Sequence, residues 1–216
     1  MALGLQTLRG TMIAMETQQL PLGEYVATSD HRVVMYGVSW ESYEAMLAIR
    51  GTRSSPLMAY LDGALELMTT SEGHEQIKSA IGRLLEAFML DKGIPFMGIG
   101  NWTMRAQLKR AGIEADECYR LGADQTRGRW PDLAFEVTWT SGGIDKLEAY
   151  RRIGVREVWF WKDDAIRVFV LRDSGYVEQA ASEQVAGFDL ALACSLVDRT
   201  TINDAVRELR ASYKAG

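Results

Sequence analysis

Apolar residues recur along this chain at two spacings, and each change of spacing marks an element. "HRVVMYGV" (31–38), rich in β-branched and aromatic residues, predicts a strand. "SWESYEAMLAIRG" (39–51) follows with helical spacing, Ser39 as N-cap and Gly51 as stop. In "PLMAYLDGALELM" (56–68), Asp62-Gly63 separates two alternating apolar runs, the pattern of a hairpin. "SEGHEQIKSAIGRLLEAFMLDKG" (71–93) carries the clearest helical stripe, Ile77, Ile81, Leu84, Leu85 and Phe88, with Ser71 or Gly73 near its start and Gly93 at its end. Beyond it "IPFMGIGNWTM", "GIEADECYRL", "WPDLAFEVTW", "REVWFW" and "AIRVFVL" each predict a strand, and "YVEQA" a further one. A short helix, "GIDKLEAYRRIG" (143–154), separates the third of these from the fourth. An apolar docking segment, "GFDLALACSLV", and a terminal helix, "TINDAVRELRASYK", close the chain.

Strands outnumber helices, and helices interrupt the strands rather than alternating with them. That order predicts an α/β (mixed α+β) architecture, a central mixed sheet flanked by helices, with an N-terminal hairpin and helix as an extension. Residues 1–30 are the least patterned and are expected to be irregular, leaving 31–216 as one domain. No repeat or linker divides it.

Composition narrows the function classes. Apolar residues make up 47% of the 216, enough for a substantial core. The chain has 24 basic against 29 acidic residues, net −5, so it lacks the global positive field of a nonspecific nucleic-acid binder. A polyanion would have to meet a local basic patch or a metal. Two cysteines, Cys118 and Cys194, form neither a disulfide framework nor a CxxC pair and read as small buried apolar residues. The N-terminus lacks a basic leader and no apolar run approaches membrane-spanning length, so a cytoplasmic protein is expected.

The chemistry concentrates in "RWPDLAFEVTW" (129–139), where Asp132 and Glu136 sit in a greasy run. An ionised acid is costly there unless a cation compensates it. On a strand the two acids share a face, but about 13 Å of rise separates them, too far for one ion whose oxygen ligands lie about 2 Å away. Glu136 therefore needs a partner from a neighbouring strand. The preceding strand offers Glu114, Asp116 and Glu117, and alternation puts Glu114, Asp116 and Cys118 on one face. Asp132, after Pro131, suits bonding to nearby backbone amides, with metal binding as its other reading. Lys146 starts the helix after the Glu136 strand, behind Gly142-Gly143, so the helix can fold back and aim it at the same point. A lysine there is ordinarily a solvated surface residue. With Asp116 and Glu136 beside it, the three have a chemical meaning: two carboxylates for a divalent metal that activates water, and an ammonium for charge on phosphorus.

The series "YLDGALELM", "GHEQIKSAIGRLLEAF", "EADECY", "PDLAFEVTWTS", "DKLEAYRRIGVREVWFW" and "SGYVEQAASE" resembles the Uma-type restriction endonucleases, from about Val38 to Val197 and most strongly over 131–161. The resemblance implies a PD-(D/E)XK nuclease-like fold, Mg²⁺ (or Mn²⁺) as cofactor and DNA as substrate. It also implies one acid on each of two adjacent core strands, places that Asp116 and Glu136 match. The usual lysine two residues after the glutamate is replaced by Thr138; in Uma-type relatives it moves to the next helix, where Lys146 stands. Such nucleases also draw an acid from the first long helix, which makes His74 and Glu75 candidates; the plainer roles are a polar cap and a dipole-complementing charge. Glu66 in the hairpin is a more remote candidate. Departures are Ala59 and Ala64 in the hairpin, where many relatives have acids, and Ala115 where a proline is common.

Other signals carry less. "GIGNWT" lacks the helix and third glycine of a dinucleotide site. His31 and His74 have no nucleophile motif beside them. "EVWFW" suits a buried central strand better than base stacking. Arg105, Lys109, Arg110, Arg127 and Arg129 are candidates for a phosphate-gripping patch. Two readings stand: a Mg²⁺-dependent endodeoxyribonuclease, or a catalytically inactive nuclease-fold protein serving as a binding or assembly module. A homodimer through the C-terminal apolar segment or a sheet edge suits either.

Overall fold

The computed structural model describes residues 29–124, 130–137 and 143–215. They form two sheets. The smaller is antiparallel and contains β1 (His31–Met35), β2 (Leu57–Leu61), β3 (Ala64–Thr69), β5 (Thr103–Ala106) and β6 (Ala111–Glu114), in the order β1-β3-β2-β6-β5. The larger contains β4 (Phe96–Gly98), β7 (Glu117–Leu121), β8 (Leu133–Val137), β9 (Glu157–Lys162), β10 (Ala165–Arg172) and β11 (Gly175–Gln179), in the order β11-β10-β9-β8-β7-β4. Only β8 and β9 run parallel among its described pairs, so this sheet is mixed. Helix α1 (Trp40–Arg50) is capped by Ser39, and α2 (Glu72–Asp91) by Ser71. Helix α3 (Lys146–Ile153) has Asp145 as its N-cap and Gly154, at φ +99°, as its stop. Helices α4 (Leu190–Ser195) and α5 (Ile202–Ala215) complete the fold. The mixed α/β class is as expected. No helix among the described residues is long and apolar enough to cross a membrane.

Two expected strands differ from the observed ones in the same way. "IPFMGIGNWTM" and "GIEADECYRL" are each two strands, because the chain leaves one sheet and enters the other within each run. The second break falls at Ala115–Asp116, both buried. The alternation expected across 114–118 is therefore interrupted at the residue of most interest. Glu114 stays with the smaller sheet, where it accepts from Arg50 Nη2 at 2.6 Å and from the Met58 amide at 2.7 Å.

Alternation along β8 decides what each helix covers. Leu133, Phe135 and Val137 face a core built with Ile81, Leu84, Leu85 and Phe88 of α2. Ala134 turns to a second core with Cys118, Val158 and Phe160, closed by Ala149, Tyr150 and Ile153 of α3. Glu136 shares this second face. Helix α3 thus fills the angle between the two sheets and connects β8 to its parallel neighbour β9. The "EVWFW" run is β9, interior to the sheet and buried, as its composition suggests.

Candidate active site

β7 and β8 pair antiparallel with Glu117 opposite Phe135. Asp116 immediately precedes β7, just beyond that pair, at the Glu136–Val137 end of β8. The Val137 amide donates to Asp116 Oδ2 at 2.8 Å, which fixes the aspartate against the end of β8. Both acids are buried, Asp116 at 1% and Glu136 at 0% exposure.

Helix α3 supplies the compensation for Glu136. Lys146 Nζ donates to Oε2 at 2.5 Å, and the Tyr150 hydroxyl, one turn on, donates to Oε1. Burial pushes the Glu136 carboxyl up, opposed by the Lys146 ammonium and reinforced by the Asp116 charge. Burial pulls Lys146 down, but Glu136 and Asp116 outweigh it and hold the ammonium above its ordinary value. Tyr150 is raised by burial and by the same glutamate, so it remains a donor.

The start of α2 meets Asp116 from the other side. His74 Nε2 lies 3.1 Å from Asp116 Oδ2, off the line of a good hydrogen bond, so the contact is one of charge. Its Nδ1 lies 3.0 Å from Asp30 Oδ2, and Asp30 Oδ1 accepts from the Ser71 amide at 2.7 Å. Burial pulls the imidazole down, but the two aspartates outweigh it and push its pKa up to about 9. Glu66 is buried as well: it lies 3.3 Å from Arg32 Nε, accepts from the Ile144 amide at 3.2 Å, and adds to the negative field on Lys146.

A cavity of about 260 Å³ opens beside Asp116; Glu75, Lys78, Thr70, Asn101, Ser54 and Ser55 contribute to its wall. Asp116 Oδ1 is buried without a hydrogen-bond partner among the described residues, the kind of atom a hard cation satisfies. Donors of this type suit Mg²⁺ or Mn²⁺ rather than a thiophilic ion. Among the described residues no group of three or more His, Cys, Asp or Glu is placed to hold a metal ion. That is compatible with Mg²⁺, which binds through one or two carboxylates and fills its shell with water and substrate phosphate. The residues therefore fit such an ion.

Of the residues singled out in the sequence, Asp116, Glu136, Lys146 and His74 converge, and Glu75 shares the cavity with Asp116. Asp132 does not join them. It sits at the opposite end of β8, where Oδ2 accepts from the Leu121 amide at 2.8 Å and Oδ1 lies 3.3 Å from Arg156, because a strand spaces residues four apart too widely. Arg105 and Arg110 pair with Glu44 and Asp62. The Lys109 carbonyl meets Arg152, at the end of α3 remote from Lys146. Thr138, Arg127 and Arg129 lie outside the described residues. Sequence reasoning missed Tyr150 and Asp30. The first had a signal, its position four after Lys146 on one helical face; the second, a lone aspartate in an unpatterned segment, had none.

A family model described as "Uma2: Putative restriction endonuclease" matches residues 40–197. Among solved structures, a "putative nuclease" from Anabaena variabilis is similar at 12% identity and a TM-score of 0.46, over 75% of this chain and 96% of that one. No curated protein matches.

Proposed function

The chain belongs to the Uma2 restriction-endonuclease family, and from that premise we propose that it is a metal-dependent endonuclease hydrolysing DNA phosphodiester bonds. The observation that carries the reading is the contact of Lys146 with Glu136, next to the Val137 amide that holds Asp116. Asp116 and Glu136 would hold Mg²⁺ or Mn²⁺, with Glu75 at the rim. Such an ion, when bound, lowers the pKa of its water and polarises a phosphoryl oxygen.

The chain's own residues account for the rest. Lys146 orients the attacking water or offsets charge on the pentavalent phosphorus. Tyr150 holds the second oxygen of Glu136, so the carboxylate presents a fixed edge. His74, braced by Asp30, holds Asp116 from behind. Burial keeps bulk water from screening these charges.

One observation favours a second reading, an inactive nuclease-fold protein acting as a binding or assembly module. Both oxygens of Glu136 already accept a hydrogen bond within the protein, from Lys146 and Tyr150, so the carboxylate is satisfied without a metal. Plasmid cleavage with Mg²⁺ or Mn²⁺ separates the two. The nuclease reading expects cleavage that Glu136→Ala and Lys146→Ala abolish. Absence of cleavage with either metal, or cleavage indifferent to both substitutions, overturns it.

A further inference from the structure

The cavity beside Asp116 contains a residue that the proposed hydrolysis leaves unused. Lys78 lies on α2 one turn after Glu75, and its ammonium pairs with the Glu75 carboxylate at the cavity wall. Among the described residues lining the cavity, the acids are Glu75 and Asp116 and the cation is Lys78; Ser54, Ser55, Thr70 and Asn101 add neutral polar groups. The Lys78 side chain is 22% exposed, reached by solvent but not swept freely through it.

Charge counting gives this arrangement a direction. With the cavity empty of metal, its two acids outnumber its one lysine, and the His74 imidazolium against Asp116 offsets the difference, so the wall offers a phosphodiester no net attraction. A divalent cation on Asp116 and Glu136, with Glu75 drawn to it from the rim, would make the same wall positive and remove the partner that holds the lysine. We infer that Lys78 is the phosphate-gripping residue of this cavity: Glu75 holds it while the metal is absent, and it is released onto a DNA backbone phosphate when the carboxylates are taken by the cation. Lysine suits this task, since its ammonium is a compact charge on a flexible stem that can change partner without a fixed fork geometry. The neutral hydroxyls and the Asn101 amide supply donors to phosphate oxygens without adding sequence preference. Metal and DNA then bind with positive coupling, each tightening the other by the same factor. This inference rests on the nuclease reading and goes beyond it by naming the residue and the order of events.

The test measures binding rather than cleavage. Anisotropy of a labelled duplex DNA oligonucleotide is recorded with EDTA and with Ca²⁺, each sample run on a denaturing gel so that only intact strands are read. Ca²⁺ is suitable because it takes carboxylate oxygens in a looser geometry than Mg²⁺. The unmodified protein should gain about tenfold or more in DNA affinity on adding Ca²⁺. Lys78→Met should lose that gain, and Lys78→Arg should keep most of it. In calorimetry without DNA, Lys78→Met should bind Ca²⁺ more tightly than the parent, since its competitor for Glu75 is gone; a merely structural lysine would not give these opposite signs. Melting curves of both variants check the fold. A Lys78→Met protein that keeps the Ca²⁺-dependent gain overturns the inference, and the nuclease reading survives if the parent still cuts plasmid. A parent that binds Ca²⁺ but no DNA, and cuts nothing, overturns both.

Discussion

Lys146 Nζ lies 2.5 Å from Glu136 Oε2, and both side chains are largely withdrawn from water, at 12% and 0% exposure. A pair of this kind contributes little net stability relative to an apolar pair, yet is costly to break from one side. Lys146→Met is therefore expected to cost about 3 kcal/mol in urea unfolding, since Glu136 is left buried with Tyr150 alone. Adding Glu136→Gln should recover much of the loss. A double mutant as unstable as the sum of the single mutants would show that the two groups do not interact.

Tyr150→Phe tests the other half of the grip. It removes the hydroxyl that donates to Glu136 Oε1 and leaves the ring in its core. The expected loss is about 1.5–3 kcal/mol, as for a hydrogen bond to a charged acceptor. Plasmid cleavage should fall without disappearing, because Lys146 and both acids remain. Unchanged stability would mean that the hydroxyl does not hold the carboxylate.

The His74 imidazole, pushed up to about 9 by Asp116 and Asp30 against the pull of burial, gives a pH dependence in EDTA-treated protein. Its folded pKa exceeds its unfolded value near 6.5, so the folded state binds the extra proton between the two. The stabilisation is fully present below about 6.5 and is lost as pH rises through about 9, a change of roughly 3 kcal/mol. Urea midpoints measured from pH 6 to 10 should fall over that window in the parent and stay flatter in His74→Gln. Equal slopes would remove the charged imidazole from the site.

Asp132→Asn should lower stability by about 1 kcal/mol through the weakened contacts to the Leu121 amide and Arg156. It should leave Mn²⁺ affinity unchanged in calorimetry. A large loss of Mn²⁺ affinity would return Asp132 to the set of metal ligands.

Gly112, in β6 of the smaller sheet, packs against the Tyr43 ring. A Cβ there would lie 2.5 Å from the Tyr43 hydroxyl and 2.7 Å from its ring, and Tyr43 is stacked on Tyr60 at 5.1 Å. Gly112→Ala is therefore expected to cost about 1–3 kcal/mol by overpacking, read as a lower melting temperature. A melting temperature equal to the parent's would show that the aromatic cluster has room to yield.

How far the sequence reaches is visible in particular residues. Ser39, Ser71 and Gly154 announced their helix ends because caps are local hydrogen-bond and dihedral chemistry. Asp62-Gly63 announced the hairpin for the same reason. The separation of Asp132 from Glu136 followed from strand rise alone, and the mixed α/β class from the order of periodicities.

Asp30 shows the opposite case. It reaches His74 across 44 residues of chain, with no spacing or periodicity to signal the contact. The division of "GIEADECYRL" between two sheets is equally silent, since either half is a good strand and only the available partners decide where each pairs. By itself the sequence determined the helix caps, the hairpin turn and the wide spacing of Asp132 from Glu136, because those depend on atoms a few bonds apart. The tertiary structure decided that the chain changes sheets at Asp116, that its carboxylate is held by the Val137 amide beside Glu136, and that α2 and α3 close on the two acids from two sides. Those are contacts between segments distant in sequence, fixed by how two sheets and their helices share one buried volume.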